Sequence, residues 1–90
     1  MKIEFDPDKG QATLDHRGLD MARAAEIFTG ATLTIPDERK DYGEPRFITI
    51  GRLDGRMVVS VWTPRGAARR IISLRKANDR EQALYGGRLD

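Results

Sequence analysis

Short apolar runs rich in β-branched residues fill the second half of the chain: Phe47–Ile50, Met57–Trp62 and Ile71–Leu74. Turn signals separate them, first Leu53-Asp54-Gly55 and then Pro64-Arg65-Gly66. Runs of this length bounded by Gly, Pro and Asp predict strands. An Asp-Gly pair between two such runs is a strong hairpin signal, because glycine adopts the positive φ that a tight turn needs. The pattern predicts a three-stranded antiparallel meander.

The first half has a different rhythm. Lys2-Ile3-Glu4-Phe5 alternates polar and apolar residues, as a short strand would, with Ile3 and Phe5 on its buried face. Asp6-Pro7 then opens a helix over about Pro7–Arg17. Asp caps free N–H groups, Pro is tolerated at the first helical position, and Gly18 is a natural left-handed stop. Asp20 caps a second helix, Met21–Thr29, whose Met21, Ala24, Ala25 and Phe28 recur at helical spacing with Ile27 beside them. Thr32–Ile35 is a further strand stopped by Pro36, and Asp37–Pro45 is a charged loop. Asn78 and Glu81 form a capping box for a last helix that reaches Tyr85 and ends at Gly86-Gly87, leaving a frayed tail of Arg88, Leu89 and Asp90. The order β-α-α-β-β-β-β-α predicts an α+β fold. Its sheet is antiparallel, the two N-terminal helices pack on one face, and the first strand returns beside a later one. The opposite face is left partly open. With 90 residues, one domain over 1–90 is expected.

Composition narrows the chemistry. The chain has no cysteine and one histidine, which excludes disulfides and thiolate zinc sites. No apolar run is long enough for a membrane span, and no basic segment followed by an apolar core marks a signal peptide. A cytoplasmic protein without cofactor or metal is the expectation. The acids of the 37–44 loop match no EF-hand spacing, so a solvated turn is expected there.

Charge is unevenly placed. Residues 1–45 carry six basic and ten acidic groups, a net of −4, and residues 46–90 carry ten basic and four acidic, a net of +6. Arginine outnumbers lysine twelve to four. Its planar fork matches phosphate. Eight basic residues between Arg46 and Lys76 face one acid, Asp54, so the meander is a candidate anion platform.

Candidate site residues follow from strand alternation, in which residues two apart share a face. Arg69, Ile71, Ser73 and Arg75 would lie on one side of the last strand, and Arg70, Ile72, Leu74 and Lys76 on the other. Val58, Ser60 and Trp62 share a side of the preceding strand. In matching register, Ser73 and Arg75 would join Ser60 and Trp62 in a polar, aromatic and cationic patch. Trp62 is then either a core residue or a platform on which a base stacks. Arg65 sits at a loop tip, and Arg75-Lys76 closes the strand. His16, the lone histidine, is either a packed side chain or a general acid or base, since imidazole titrates near neutral pH. No nucleophile elbow, P-loop, dinucleotide fingerprint or HExxH is present. Arginine without an activated serine or a metal suits RNA cleavage by the substrate's own 2′-hydroxyl. The protein then positions the phosphate, stabilises its extra charge and assists proton transfer. The alternative is a non-catalytic basic module that binds nucleic acid or an acidic partner.

Phe5-Asp6-Pro7-Asp8-Lys9, His16-Arg17-Gly18, Pro36-Asp37-Glu38-Arg39, Gly43-Glu44, Arg46-Phe47, Ile50-Gly51, Thr63-Pro64-Arg65-Gly66, Arg70-Ile71-Ile72-Ser73 and Arg75-Lys76-Ala77 together resemble the BrnT toxins. The resemblance spans nearly the whole chain. It implies a RelE-like fold and a ribonuclease toxin of a type II toxin–antitoxin module, which cleaves RNA and arrests translation and growth. It also implies a BrnA-like antitoxin that neutralises the toxin and carries the DNA-binding domain. Two copies of each would form a complex that represses its own operon. Lys9, Arg46, Arg65, Arg75 and Lys76, with Ser73 beside them, match the family's cationic positions. Arg65 and Arg75 are expected to hold the scissile phosphate, Lys9 and His16 to move protons, and Arg46, Lys76 and Trp62 to bind RNA. Two positions depart from the family pattern. Leu19-Asp20-Met21-Ala22-Arg23 stands where relatives carry an aromatic residue and two acids, and Trp62 stands where tyrosine is usual.

Overall fold

The computed structural model of the chain describes residues 1–89. Its elements are β1 (Lys2–Phe5), α1 (Pro7–Arg17), a 3₁₀ turn (Met21–Arg23), α2 (Ala25–Thr29), β2 (Leu33–Pro36), β3 (Phe47–Leu53), β4 (Arg56–Arg65), β5 (Ala68–Lys76) and α3 (Asp79–Leu89). The fold is α+β, and the five strands form one sheet in the order β1-β5-β4-β3-β2. The sheet is mixed rather than antiparallel. β1 returns beside β5, and it runs parallel to it because helices intervene between the first strand and the meander.

Local signals account for most boundaries. The Asp6 side chain accepts from the N–H groups of Asp8 and Lys9, and Gly18 ends α1 at φ 68°. Asp54 and Gly55 both have positive φ, 53° and 77°, as a two-residue type I′ hairpin turn requires. Pro36 is accommodated because β2 is an edge strand.

Three elements depart from the sequence pattern. The second helix is not continuous: a 3₁₀ turn precedes a five-residue α2. Its most buried residues, Met21, Ala24 and Ile27, are three apart, which matches the 3₁₀ period. α3 does not stop at Gly86-Gly87 but runs on to Leu89. Leu89 is buried with Ile50, Met57, Val59 and Ala77, and this packing carries the helix past two glycines that disfavour it. Arg88 and Leu89 are therefore helical, and Asp90 lies outside the described residues.

The largest change is in β5. Val61 pairs with Ser73 but Trp62 pairs with Ile71, so Ile72 is an extra residue, a β-bulge. Ile71 and Leu74, three apart, consequently enter the same core cluster with Trp62, Val58, Met21 and Ile27. That cluster lies between the sheet and the 3₁₀ turn with α2. Packing there is close: a Cβ on Gly51 would stand 2.7 Å from Ile27 Cγ2, so only glycine lets α2 approach β3. The second cluster, on the other side of the sheet, is covered in part by α3.

Candidate functional site

The bulge dissolves the patch expected from simple alternation. Ser73 and Arg75 lie opposite Val61 and Val59, on the α3 side of the sheet. Ser60 and Trp62 face the other way into the core, and Ser60 is fully buried. Trp62 is a core residue, 7% exposed. Its indole N–H donates to Thr49 Oγ1 at 2.8 Å. Phe28 meets it edge-on at 5.7 Å and Phe47 lies at 5.0 Å. The Arg69 guanidinium sits over its ring at 4.4 Å. With its faces occupied, it offers no stacking platform.

Arg65 and Arg75 do not converge either. Arg75 pairs with Val59, six positions before Arg65 on β4. At about 3.3 Å per residue the two lie roughly 20 Å apart, too far to grip one phosphate. Arg65 instead shares the Glu44 carboxylate with Arg46, at 3.2 and 3.1 Å. Arg46 also stacks over Tyr42 at 4.0 Å. Several other arginines have carboxylate partners: Arg23 with Glu26 and Asp54, Arg39 with Asp37, Arg70 with Glu4. Within the basic meander, Arg46, Arg65 and Arg70 are thus paired with Glu44 and Glu4 from the first half of the chain, and the meander is not one continuous anion platform.

Three of the candidates, Lys9, His16 and Ser73, do gather beside the C-terminal half of β5. β1 covers β5 only as far as Ile71. Beyond it the edge is open, and α1 runs along it. Lys9, Thr13, His16 and Arg17 share one face of α1 by helical spacing. Lys9 Nζ donates to the carbonyl of Ile72, the bulged residue, at 2.7 Å. One turn beyond Thr13, the Arg17 guanidinium donates to the carbonyl of Leu74 at 2.8 Å. Edge carbonyls that no strand satisfies are thus satisfied by cations. Because these acceptors are neutral, the two charges are not cancelled. Lys9, Thr13, His16, Arg17, Ile72 and Ser73 line a groove of about 380 Å³ that has no acidic lining residue among those described.

Ser73 also lines a second groove, of about 460 Å³, across the sheet beside α3. Its floor is apolar, Ile48, Ile50, Val59 and Val61, and its rim carries Arg39, Arg75 and Arg80. Arg75 is held there by a two-pronged ion pair to Glu81, at 2.7 and 2.8 Å. The guanidinium lowers the Glu81 carboxyl to about 2, and the carboxylate in turn raises Arg75. Glu81 also accepts the Asn78 N–H while Asn78 accepts from Glu81 N–H, so the capping box forms and ties the start of α3 to Arg75. Lys76 points elsewhere, into a third cavity with Arg52 and Arg56. Asp37 and Glu44 of the acidic loop are engaged by arginines, and among the described residues no three His, Asp or Glu groups converge as metal ligands.

Arg17, Arg39 and Arg80 were not singled out from sequence. Arg17 lies eight residues after Lys9, on the same helix face, and that spacing was the available signal. Arg39 and Arg80 come from a loop and a helix whose approach to β5 no local pattern encodes. No helix of the described chain is long and apolar enough to cross a membrane.

A search among curated proteins gave no match. A family model does match: residues 5–81 fit that of the ribonuclease toxin BrnT of type II toxin–antitoxin systems. The matched span takes in α1 with its groove, all of β2–β5 and the capping box of α3, and on that match the chain belongs to the BrnT family of ribonuclease toxins.

Proposed function

We propose that the protein is a metal-independent endoribonuclease whose scissile phosphate sits over Ser73, between the α1 groove and Arg75. The observation that carries this is the set of uncancelled cations on the open edge of β5, Lys9 and Arg17, with His16 and Ser73 beside them. In the proposed reaction the 2′-hydroxyl of the RNA loses its proton and attacks the adjacent phosphorus, and the bond to the 5′-oxygen breaks. That leaving oxygen takes up a proton. Lys9 and Arg75 stabilise the charge that accumulates on the phosphoryl oxygens, where preorganised donors act most strongly. His16 is the side chain placed to exchange protons, and Ser73 orients the phosphate. Arg65 and Arg46, roughly 20 Å away along the sheet, contact the RNA strand at a distance from the cut.

The fold is read as RelE-like on its element order. An antitoxin partner follows from the type II family. We infer that it is BrnA-like, supplies the DNA-binding domain and forms a complex of two toxins with two antitoxins that represses the operon. Operator DNA is then reached only through the antitoxin, and the site of action is the cytoplasm, where translation and growth stop.

The test is cleavage of RNA by purified protein in excess EDTA, paired with the same RNA carrying one 2′-deoxy nucleotide at a mapped cut. Cleavage should persist in EDTA and vanish at the deoxy position alone. Binding without cleavage would favour the non-catalytic module, and loss of cleavage in EDTA would put a metal in the mechanism.

A further inference from the structure

The third cavity lies where the β3–β4 hairpin, the end of β5 and one side of α3 meet. It encloses about 530 Å³ and is lined by Arg52, Arg56, Lys76, Met57, Gln82 and Gly86, with Gly55 and Ala77. Three cations line it and, among the described residues, no carboxylate does. Arg56 extends from the hairpin turn and Lys76 from the last position of β5, so two rigid strand ends fix their origins. Gly86 gives the cavity its depth. A Cβ there would come into ordinary contact with Met57 Cε, at 3.9 Å, so alanine fits while a longer side chain would enter the cavity.

We propose that this cavity is a subsite for a backbone phosphate of the RNA strand, held by Arg56 and Lys76. The inference rests on the ribonuclease reading above and adds to it. Arg75 and Lys76 flank the start of α3 from its two sides, so a strand whose scissile phosphate lies over Ser73 reaches the cavity by passing around the start of α3. Cations that meet a phosphate contribute to single-strand binding mainly by releasing counterions, at about 0.7 in the slope of log K against log salt per phosphate contact.

The probe is a short RNA that is 2′-O-methylated throughout, which cannot be cut and so reports binding whether or not the wild type is an active nuclease. The double variant Arg56→Gln/Lys76→Gln should lower the salt slope by about 1.4. A control that removes the same charge elsewhere, Lys2→Gln/Lys40→Gln, should change it far less. Gly86→Glu should lower the slope by placing a carboxylate in the cavity, while Gly86→Ala, which fills little space, should not. An unchanged slope in Arg56→Gln/Lys76→Gln, or an equal fall in the control pair, would overturn the subsite. So would Gly86→Glu that folds and binds as the wild type does. If the wild type binds this RNA through the cavity yet cuts no native RNA, the nuclease reading fails and the subsite stands.

Discussion

Replacing Glu81 with Gln separates the two jobs that this carboxylate performs. Gln retains an oxygen that can accept the Asn78 N–H, so the capping box survives. What is lost is the ion pair to Arg75. Its geometry is two-pronged, at 2.7 and 2.8 Å, but the Arg75 side chain is 44% exposed, which screens it. The pair is therefore worth about 0.5–1 kcal/mol, near the upper end for surface pairs. For a chain of this size that corresponds to a fall in Tm of roughly 2–8 °C. The same change releases Arg75. If Arg75 serves the RNA phosphate, it must give up Glu81 to do so, and the freed side chain should bind uncleavable RNA about two- to fivefold more tightly. Thermal unfolding followed by circular dichroism and a titration with 2′-O-methyl RNA measure both effects. Arg75→Ala should weaken the same binding. If Glu81→Gln weakens RNA binding as Arg75→Ala does, Glu81 is itself part of the binding machinery and the competition described here is wrong.

Other outcomes follow from the same geometry. Lys9→Ala should lower RNA cleavage about a hundredfold, the usual effect of losing one preorganised donor. Arg65→Ala, far from Ser73, should cost less than tenfold in the same assay. Trp62→Phe should destabilise the fold by about 1–3 kcal/mol in urea unfolding, because it removes a buried hydrogen bond and leaves space. Its RNA affinity should stay within twofold of wild type, since the ring is enclosed. Acid should weaken the fold in a defined window. Glu81 is held at about 2 instead of 4.5, and Asp37 at about 2 instead of 3.8. The folded state therefore favours their ionised forms. That contribution is complete above about pH 4.5 and disappears as the pH falls toward 2. A series of Tm values across this range should show a drop that is smaller in Glu81→Gln, in which Asp37, and the Glu26 and Asp54 carboxylates that Arg23 holds low, still titrate but Glu81 does not.

The parts of the fold that local chemistry encodes were legible in the sequence. Asp6-Pro7 and Gly18 bracket α1, Asp54-Gly55 makes the hairpin, and Asn78 with Glu81 caps α3 as their spacing predicts. What escaped was long-range. Nothing near Ile72 announces a bulge, because the extra residue is defined by its pairing with β4 and stabilised in part by Lys9, 63 positions away. That one residue moved Ser73 and Arg75 to the opposite face from Trp62. The direction of β1 and the survival of α3 past Gly86-Gly87 were likewise decided by packing. Charge counting misled for a related reason. The acids that balance Arg46, Arg65 and Arg70 come from the loop before β3 and from β1, distant or separate in pattern from the basic run. His16 stands out as the lone histidine and Lys9 by resemblance, and their groove became visible only when α1 was seen to lie along the edge of β5.

The most direct measurement is the chemical identity of the ends left on RNA cut by the purified protein in EDTA. Attack by the neighbouring 2′-hydroxyl requires a 2′,3′-cyclic phosphate, or the 3′-phosphate it opens to, on one fragment and a 5′-hydroxyl on the other, with the yield falling steeply in Lys9→Ala. Fragments carrying a 5′-phosphate and a 3′-hydroxyl would mean that water or another nucleophile attacks from the other side, and would contradict substrate-assisted cleavage at the edge of β5.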